Sequence, residues 1–202
     1  YDDTQYEVFT YDLAYAETIL DAAGFIRQYD CASLTQTGAP TVVAEADRDG
    51  TECRLPNELR ILTNTGNDQR IAVAQLWGPA LESIGIANDN TDQPWATVID
   101  NYIYGKWDLW VIGWGPDYLD PDNYWSPFAG SADIGGDAYH GYFENDELDA
   151  ILLDARTEQD SDARALLYAD AYDLWVTSPT MALLGQYDGV GVGSDHMCPP
   201  AY

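Results

Sequence analysis

An acidic and aromatic segment, residues 114–125, carries the side chains best suited to chemistry in this sequence. It reads WGPDYLDPDNYW and combines Asp117, Asp120 and Asp122 with two tryptophans and two tyrosines. Carboxylates can hold a cationic amine, and flat rings can stack on peptide planes or sugar faces. The segment follows the strongest predicted strand, and ligands bind beyond the carboxyl ends of strands in open α/β sheets. These features predict a ligand-binding loop.

Other roles for the same residues stay open. The rings can belong to a core, the carboxylates to a generally acidic surface, and Asp120 before Pro121 can set a turn. A carboxylate pair drawn from Asp117, Asp120 and Asp122 would also suit a glycoside hydrolase, which needs two carboxyl groups about 5 to 10 Å apart. An adhesive surface domain without a small-molecule ligand is a further alternative.

Motifs for other chemistries are missing or incomplete. The GWG at residues 113–115 lacks the third glycine and the helix start of a dinucleotide-binding fingerprint. His140 and His196 stand far apart and outside any zinc-ligand spacing. Residues 47–52 resemble half of a calcium loop but lack the glutamate at its twelfth position. We therefore expect no catalytic residue, no metal site and no cofactor.

The charge balance excludes several classes of partner. The 202 residues include 35 acidic and 8 basic side chains, for a net charge of −27, and Lys106 is the only lysine. A phosphate backbone needs a basic face, so we expect no nucleic acid, and docking on an anionic membrane is disfavoured. Such acidity is typical of a salt-adapted protein or of an acidic secreted one. No apolar run approaches the roughly 20 residues of a membrane-spanning helix.

The cysteines indicate an exported protein. Of three cysteines, Cys31 and Cys53 bracket a polar stretch within residues 28–57, where periodicity vanishes and a loop or insertion is predicted. A disulfide between them would suit an oxidising compartment, and three free thiols are the alternative.

The remaining sequence predicts alternating helices and strands. Strand, helix and strand in that order imply a crossover connection and a parallel pair. Pro79 is expected to kink or split its helix. Helices are predicted over residues 12–23, 67–85, 146–157 and 160–176 and from Pro94 onward, strands over 58–64, 107–114 and 180–184, a long aromatic loop over 115–142, and a surface tail over 185–202.

Five segments, in the same order, resemble the extracellular solute-binding proteins of ABC importers that carry dipeptides and oligopeptides. The resemblance implies an α/β, type II periplasmic-binding-protein-like lobe with a mixed, mostly parallel sheet flanked by helices. It also implies that residues 1–202 form a single lobe, the second of two that close on a ligand. The matching segments are residues 11–24 (YDLAYAETILDAAG), 59–85, 107–121, 141–149 and 160–168.

The resemblance assigns roles within the acidic segment. In peptide-binding members the motif aspartate, matched by Asp117, pairs with the peptide's α-ammonium group, and Trp114 matches the motif tryptophan. Some members carry an arginine where this sequence has Val111, which leaves the ligand open between a peptide, an oligosaccharide and a nickel complex. The candidate ligand-binding residues are Trp114, Asp117, Tyr118, Asp120, Trp125 and Asn64.

The resemblance further implies a binding protein and not an enzyme. It would capture its ligand and deliver it to ABC permease subunits as an extracellular or periplasmic monomer. An N-terminal lobe of the same chain and a lipoprotein anchor would lie outside this sequence.

Overall fold

The computed structural model describes residues 10–35, 38–133, 144–176, 181–182 and 184. The chain divides into two compact units, residues 1–113 and residues 114–202. The single lobe over residues 1–202 stays a prediction. The tail predicted at residues 185–202 lies outside the described residues.

The first unit is built on a parallel sheet in the strand order β2–β1–β3. Strand β1 spans Leu59–Leu62, β2 spans Asn88–Asp89 and β3 spans Leu109–Trp110. Leu59 pairs with Asn88, and Ile61 pairs with Leu109. The predicted parallel pair is confirmed, although β3 covers only part of the predicted strand 107–114. The rings of Trp107 and Trp110 pack around Tyr102 in a side-chain cluster.

The described part of this unit contains three α-helices: α1 (Leu13–Ala22), α2 (Asp68–Ser83) and α3 (Trp95–Ile103). Asp12 and Asn67 cap α1 and α2 by accepting backbone N–H bonds, as their residue types predict. Pro79 lies inside α2 and does not split it, while the kink that the sequence gives as the other outcome stays a prediction. The preceding residue, Gly78, has no Cβ to clash with the proline ring.

The core of this unit lies on both faces of the sheet. Successive strand residues point to opposite faces, and Ile61 packs with Ala74 and Val111 while Leu62 packs with Val98 and Tyr102. Helix α2 therefore covers one face and helix α3 the other. This arrangement is the helix-flanked sheet that the sequence predicts.

The segment between α1 and β1 is mostly irregular, as predicted for residues 28–57. Tyr29 forms antiparallel bridges with Val42 and Cys53, and a disulfide joins Cys31 to Cys53 with a Cα–Cα distance of 5.2 Å. Arg54 is buried beside this disulfide and donates to Ile84 O at 2.6 Å. The segment is thus held covalently and by a buried cation.

The second unit is helical in its described part. Helices α5 (Asp146–Thr157) and α6 (Ser161–Val176) agree with the predictions, and Asp160 accepts the backbone N–H groups that open α6. Helix α4 (Asp122–Ala129) lies within the predicted loop 115–142, so that part of the prediction was wrong. Pro127, a residue that usually breaks helices, argues against a helix in the sequence, yet it lies inside α4 near its C-terminal end. The hydrophobic core of this unit is a cluster of buried residues: Ala129, Leu148, Leu152, Ala171 and Trp175.

Of the strand predicted over residues 180–184, the described Met181, Ala182 and Leu184 are not in a strand, and the other two residues lie outside the described ones. Within the described ranges, no helix is long and apolar enough to cross a membrane.

Candidate ligand-binding site

A buried asparagine organises the acidic and aromatic segment. Asn123, 7% exposed, lies in the first turn of α4. Its side-chain oxygen accepts from the Trp114 indole N–H at 3.1 Å and from the Asp117 backbone N–H at 2.8 Å. An amide oxygen has two lone pairs, so one atom ties the tryptophan and the aspartate together. Asn123 therefore fixes the turn from residue 114 to residue 117.

The carboxylate of Asp117 points out of this turn. The residue is exposed, and within the described part of the chain its carboxylate has no hydrogen-bond or ion-pair partner. Beside it, the Trp114 ring is half-buried and packs edge-on against Phe128, with centroids 5.8 Å apart. The site thus presents a negative charge on a fixed backbone next to an anchored ring.

Asp120, three residues further on, is held in a different way. Its two oxygens accept from Nη1 and Nη2 of Arg164, both at 2.7 Å, and the guanidinium also donates to Ala155 O. This bidentate pairing holds the pKa of the Asp120 carboxyl below its ordinary value. Asp120 also accepts the backbone N–H of Asp122, the first residue of α4, at 2.8 Å. Through Arg164 these contacts attach the segment to helices α5 and α6.

The other aromatic candidates in this segment also have partners within the unit. Trp125 stacks on Tyr168, with centroids 6.5 Å apart and planes at 16°, and meets the edge of Trp175. The Tyr118 hydroxyl donates to Asp122 at 3.0 Å, while its side chain stays half exposed. Ligand contacts of Tyr118, Asp120 and Trp125 stay predictions, and the geometry favours a positioning role for the last two.

Asn64 belongs to the first unit, at the carboxyl end of β1. Its side-chain oxygen accepts from Arg70 Nη1 at 2.9 Å, and Arg70 Cζ lies 5.4 Å from the centroid of the Trp95 ring. The ligand contact predicted for Asn64 stays a prediction.

Sequence reasoning missed three residues at these places: Asn123, Arg70 and Trp95. Asn123 gave no signal, because a single asparagine in a polar run looks solvated. Arg70 could have been singled out because it is one of only 8 basic residues in a strongly acidic chain. Among the described residues, no group of three or more His, Cys, Asp or Glu side chains is placed to hold a metal ion.

The helix-flanked parallel sheet is the fold of periplasmic binding proteins. The solved structure of the ABC transporter-associated periplasmic binding protein DppA from Helicobacter pylori, in complex with the peptide STSA, has a TM-score of 0.62 to this chain at 19% identity. The alignment covers 86% of this chain and 28% of that one. The fold class predicted from the sequence is therefore confirmed.

The chain belongs to the bacterial extracellular solute-binding proteins, family 5, because the model for the middle part of that family matches residues 1–136. It is 34% identical to heme-binding protein A of Haemophilus influenzae over 88 residues, 44% of this chain and 16% of that protein. It is 28% identical to the periplasmic murein peptide-binding protein of Escherichia coli over 137 residues, 65% of this chain and 24% of that protein. The chain thus matches a quarter or less of each relative's length. The resemblance inferred from the sequence is confirmed.

Proposed function

We propose that this chain is the peptide-holding part of the solute-binding protein of an ABC importer, with Asp117 as the anchor for the peptide's α-ammonium group. One observation carries the proposal: the Asp117 carboxylate is exposed and unpaired among the described residues, while Asn123 fixes its backbone. A carboxylate makes strong, charge-assisted hydrogen bonds to an ammonium group. A fixed backbone lowers the entropy that is lost on binding.

The family supplies the context for this role. A family 5 protein closes two lobes on its solute, so we expect closure driven by contacts to both lobes and delivery to membrane permease subunits. The proposed setting is extracellular or periplasmic, as a monomer held by a lipoprotein anchor. The murein peptide-binding relative supports a peptide as ligand.

Two alternatives fit the contacts less well. Stacking of an oligosaccharide on Trp125 is disfavoured, because this ring already stacks on Tyr168 and meets the edge of Trp175. A glycoside hydrolase needs a carboxylic acid whose pKa is raised, whereas Arg164 lowers the pKa of Asp120. The peptide therefore remains the better supported ligand.

Calorimetric titration of the two-lobed protein with a pooled peptide set tests the proposal. We expect Asp117→Asn to weaken peptide binding about 10- to 100-fold, since a hydrogen bond to a charged group contributes about 1.5 to 3 kcal/mol. Acetylating the peptide's amino group should have a similar effect on the unchanged protein. Titrations at low and high salt separate this local bond from the long-range field of the acidic chain.

The matched control is Asp154→Asn, which removes the same charge from an exposed position on α5. Its peptide affinity should stay that of the unchanged protein. Unchanged affinity in Asp117→Asn would contradict the ammonium anchor, and binding of short β-linked oligosaccharides without any peptide binding would replace the ligand class.

A further inference from the structure

We propose that a cavity on the α3 face of the sheet in the first unit binds a small oxyanion with two negative charges, such as inorganic phosphate or sulfate. The cavity has a volume of about 250 Å³ and is lined by residues of β1, β2 and α3 and of the segments that follow β2 and α3. Its lining includes two cations, Arg60 and Lys106, together with Thr91, Gln93 and Asn101. The inference does not depend on the proposed function, because none of these residues is a candidate peptide contact.

The fold brings the two cations to this cavity from different elements. Arg60 is the second residue of β1, and its side chain shares a face with Leu62, which packs against α3. Lys106 follows α3, and its backbone N–H donates to Asn101 O at 2.7 Å. The Asn101 side chain in turn donates to Gln93 Oε1 at 2.6 Å, which ties α3 to the segment after β2. The walls of the cavity are therefore held together by hydrogen bonds of the chain itself.

The cations of the cavity leave most of their hydrogen-bond donors unused. Among the described residues, the Lys106 ammonium makes no hydrogen bond or ion pair, and its Nζ lies 5.6 Å from the centroid of the Tyr104 ring. The Arg60 side chain reaches Asp108 at 3.5 Å through Nε, and the described part of the chain gives its two Nη atoms no partner. An ammonium has three N–H donors and a guanidinium has five. The cavity is thus rich in donors and suits a ligand rich in acceptors.

The carboxylates near the cavity accept bonds from neutral groups of the chain. Asp89 also lines the cavity, and its Oδ1 accepts the Thr91 backbone N–H at 3.0 Å and the Thr91 hydroxyl at 2.7 Å. Asp108 accepts the backbone N–H of Arg60 at 2.8 Å, a shorter bond than its contact with the Arg60 side chain. These bonds hold the carboxylates in place without using the donors of the two cations.

The charge of the whole chain favours an anion with two charges at a site with two cations. At a net charge of −27, the protein repels anions at long range, and two of its 8 basic side chains line this one cavity. The planar guanidinium of an arginine matches two oxygens of a phosphate or sulfate, while a lysine acts as a point charge beside it. A singly charged carboxylate gains less from the same pair of cations.

Nuclear magnetic resonance on the 202-residue chain tests the site through its single lysine. Labelling lysine with ¹³C gives one lysine side-chain signal, because Lys106 is the only lysine, and ¹⁵N labelling reports Arg60 Nε–H. The probes are the sodium salts of phosphate, sulfate, acetate and chloride at equal ionic strength, at a pH where phosphate is mostly a dianion. We expect phosphate and sulfate to shift both signals with one shared dissociation constant. Acetate should need concentrations about tenfold higher or more, as expected on loss of a charge-assisted bond.

Removing either cation should weaken the binding of both dianions. We expect Arg60→Gln, followed at Lys106, and Lys106→Gln, followed at Arg60, each to raise the dissociation constant about tenfold or more. Arg48→Gln, the control, removes the same charge from an arginine of the same unit that bonds Val43 O, and should leave the constant unchanged. The comparison of the four salts on the unchanged chain needs no variant, so it decides the question even where a variant fails to fold.

Thermal unfolding gives a second readout, because a ligand that binds only the folded state stabilises it. Phosphate should raise the unfolding midpoint more than chloride does at the same ionic strength, and Arg60→Gln should abolish this difference. Equal responses to all four salts would show a non-specific salt effect only and would overturn the site. Shifts at one cation without the other, or dissociation constants unchanged in both glutamine variants, would also overturn it. None of these outcomes bears on the peptide anchor at Asp117, which the calorimetric titration tests separately.

Discussion

Two irregular stretches of this chain are both held rigidly, but by different means. The stretch between Cys31 and Cys53 is closed by a disulfide and lies against the buried Arg54. The stretch from Trp114 to Trp125 has no such crosslink and is held by the buried amide of Asn123 and by the ion pair of Asp120 with Arg164. Both solutions fix a loop that has no regular hydrogen-bond ladder of its own.

The two stretches differ in whether their carboxylates are paired with arginines. Around Arg54, the carboxylates of Glu17 and Asp21 both face the same guanidinium, and Glu17 is shared with Arg27. These carboxylates are therefore paired with arginines inside the fold. In the other stretch, Asp120 is paired, whereas Asp117 is held through its backbone and keeps its carboxylate exposed. A neutral buried anchor fixes an acidic residue without neutralising it, which is what a binding site for a cation requires.

Opening the disulfide should have the largest effect on stability. Cys31 and Cys53 are 22 residues apart, and a crosslink closing a loop of this size contributes about 3 to 4 kcal/mol by restricting the unfolded chain. Urea unfolding followed by circular dichroism, with and without a reductant, measures this. The double variant Cys31→Ala, Cys53→Ala should lose a similar amount and become insensitive to the reductant. A transition midpoint that the reductant does not move in the unchanged chain would contradict the prediction.

Removing the cation beside the disulfide should cost nearly as much. Arg54, with a side chain 3% exposed, donates to Ile84 O and Phe25 O and pairs with two carboxylates. Arg54→Met leaves these acceptors unpaired, and we expect a loss of about 3 kcal/mol. Arg48→Met is the control, because the Arg48 side chain makes one hydrogen bond among the described residues, to Val43 O at 3.1 Å. Equal unfolding midpoints for the two variants would show that Arg54 does not hold the segment.

Replacing the neutral anchor should affect both stability and binding. Asn123→Leu leaves the Trp114 indole and the Asp117 N–H without their acceptor, which costs about 1 to 3 kcal/mol. The variant should also lose most of its preference for a free over an acetylated peptide amine, because Asp117 is no longer held. Asn123→Asp keeps an acceptor oxygen and is the matched comparison. Thermal unfolding and the affinity ratio for the two peptides measure the two effects. A lower stability with an unchanged affinity ratio would show that Asn123 stabilises the fold but does not position Asp117 for binding.

The sequence predicted the parts of this molecule that depend on periodicity. The apolar spacing gave α5 and α6 within a residue of their ends, because a helix that packs on one face must repeat that spacing. It also predicted the crossover between β1 and β3. It missed α4, where Pro127 and a short span obscure the pattern.

The site was predicted only in part, because its geometry depends on contacts between distant residues. The family resemblance pointed to Asp117 and Trp114, but the residue types alone did not distinguish Asp117 from Asp120 and Asp122. Arg164 distinguishes them, and it lies 44 residues from Asp120. Local pattern carries no information about such a partner. For the same reason, the role of Asn123 became apparent only with its two hydrogen bonds.

Acid should separate the paired carboxylate from the exposed one, with the smallest effect of the four. Arg164 lowers the folded-state pKa of Asp120 below its ordinary value of 3.8. A carboxyl of this kind adds stability above its unfolded-state pKa and loses it as the pH falls through the lower folded-state value. The second unit should therefore lose stability below about pH 4, and Asp120→Asn should flatten this part of the profile. Asp117→Asn is the comparison variant, because it removes the same charge without breaking an ion pair among the described residues. Thermal unfolding from pH 2 to pH 6 makes the comparison, and parallel profiles for the two variants would show that the Asp120–Arg164 pair does not stabilise the loop.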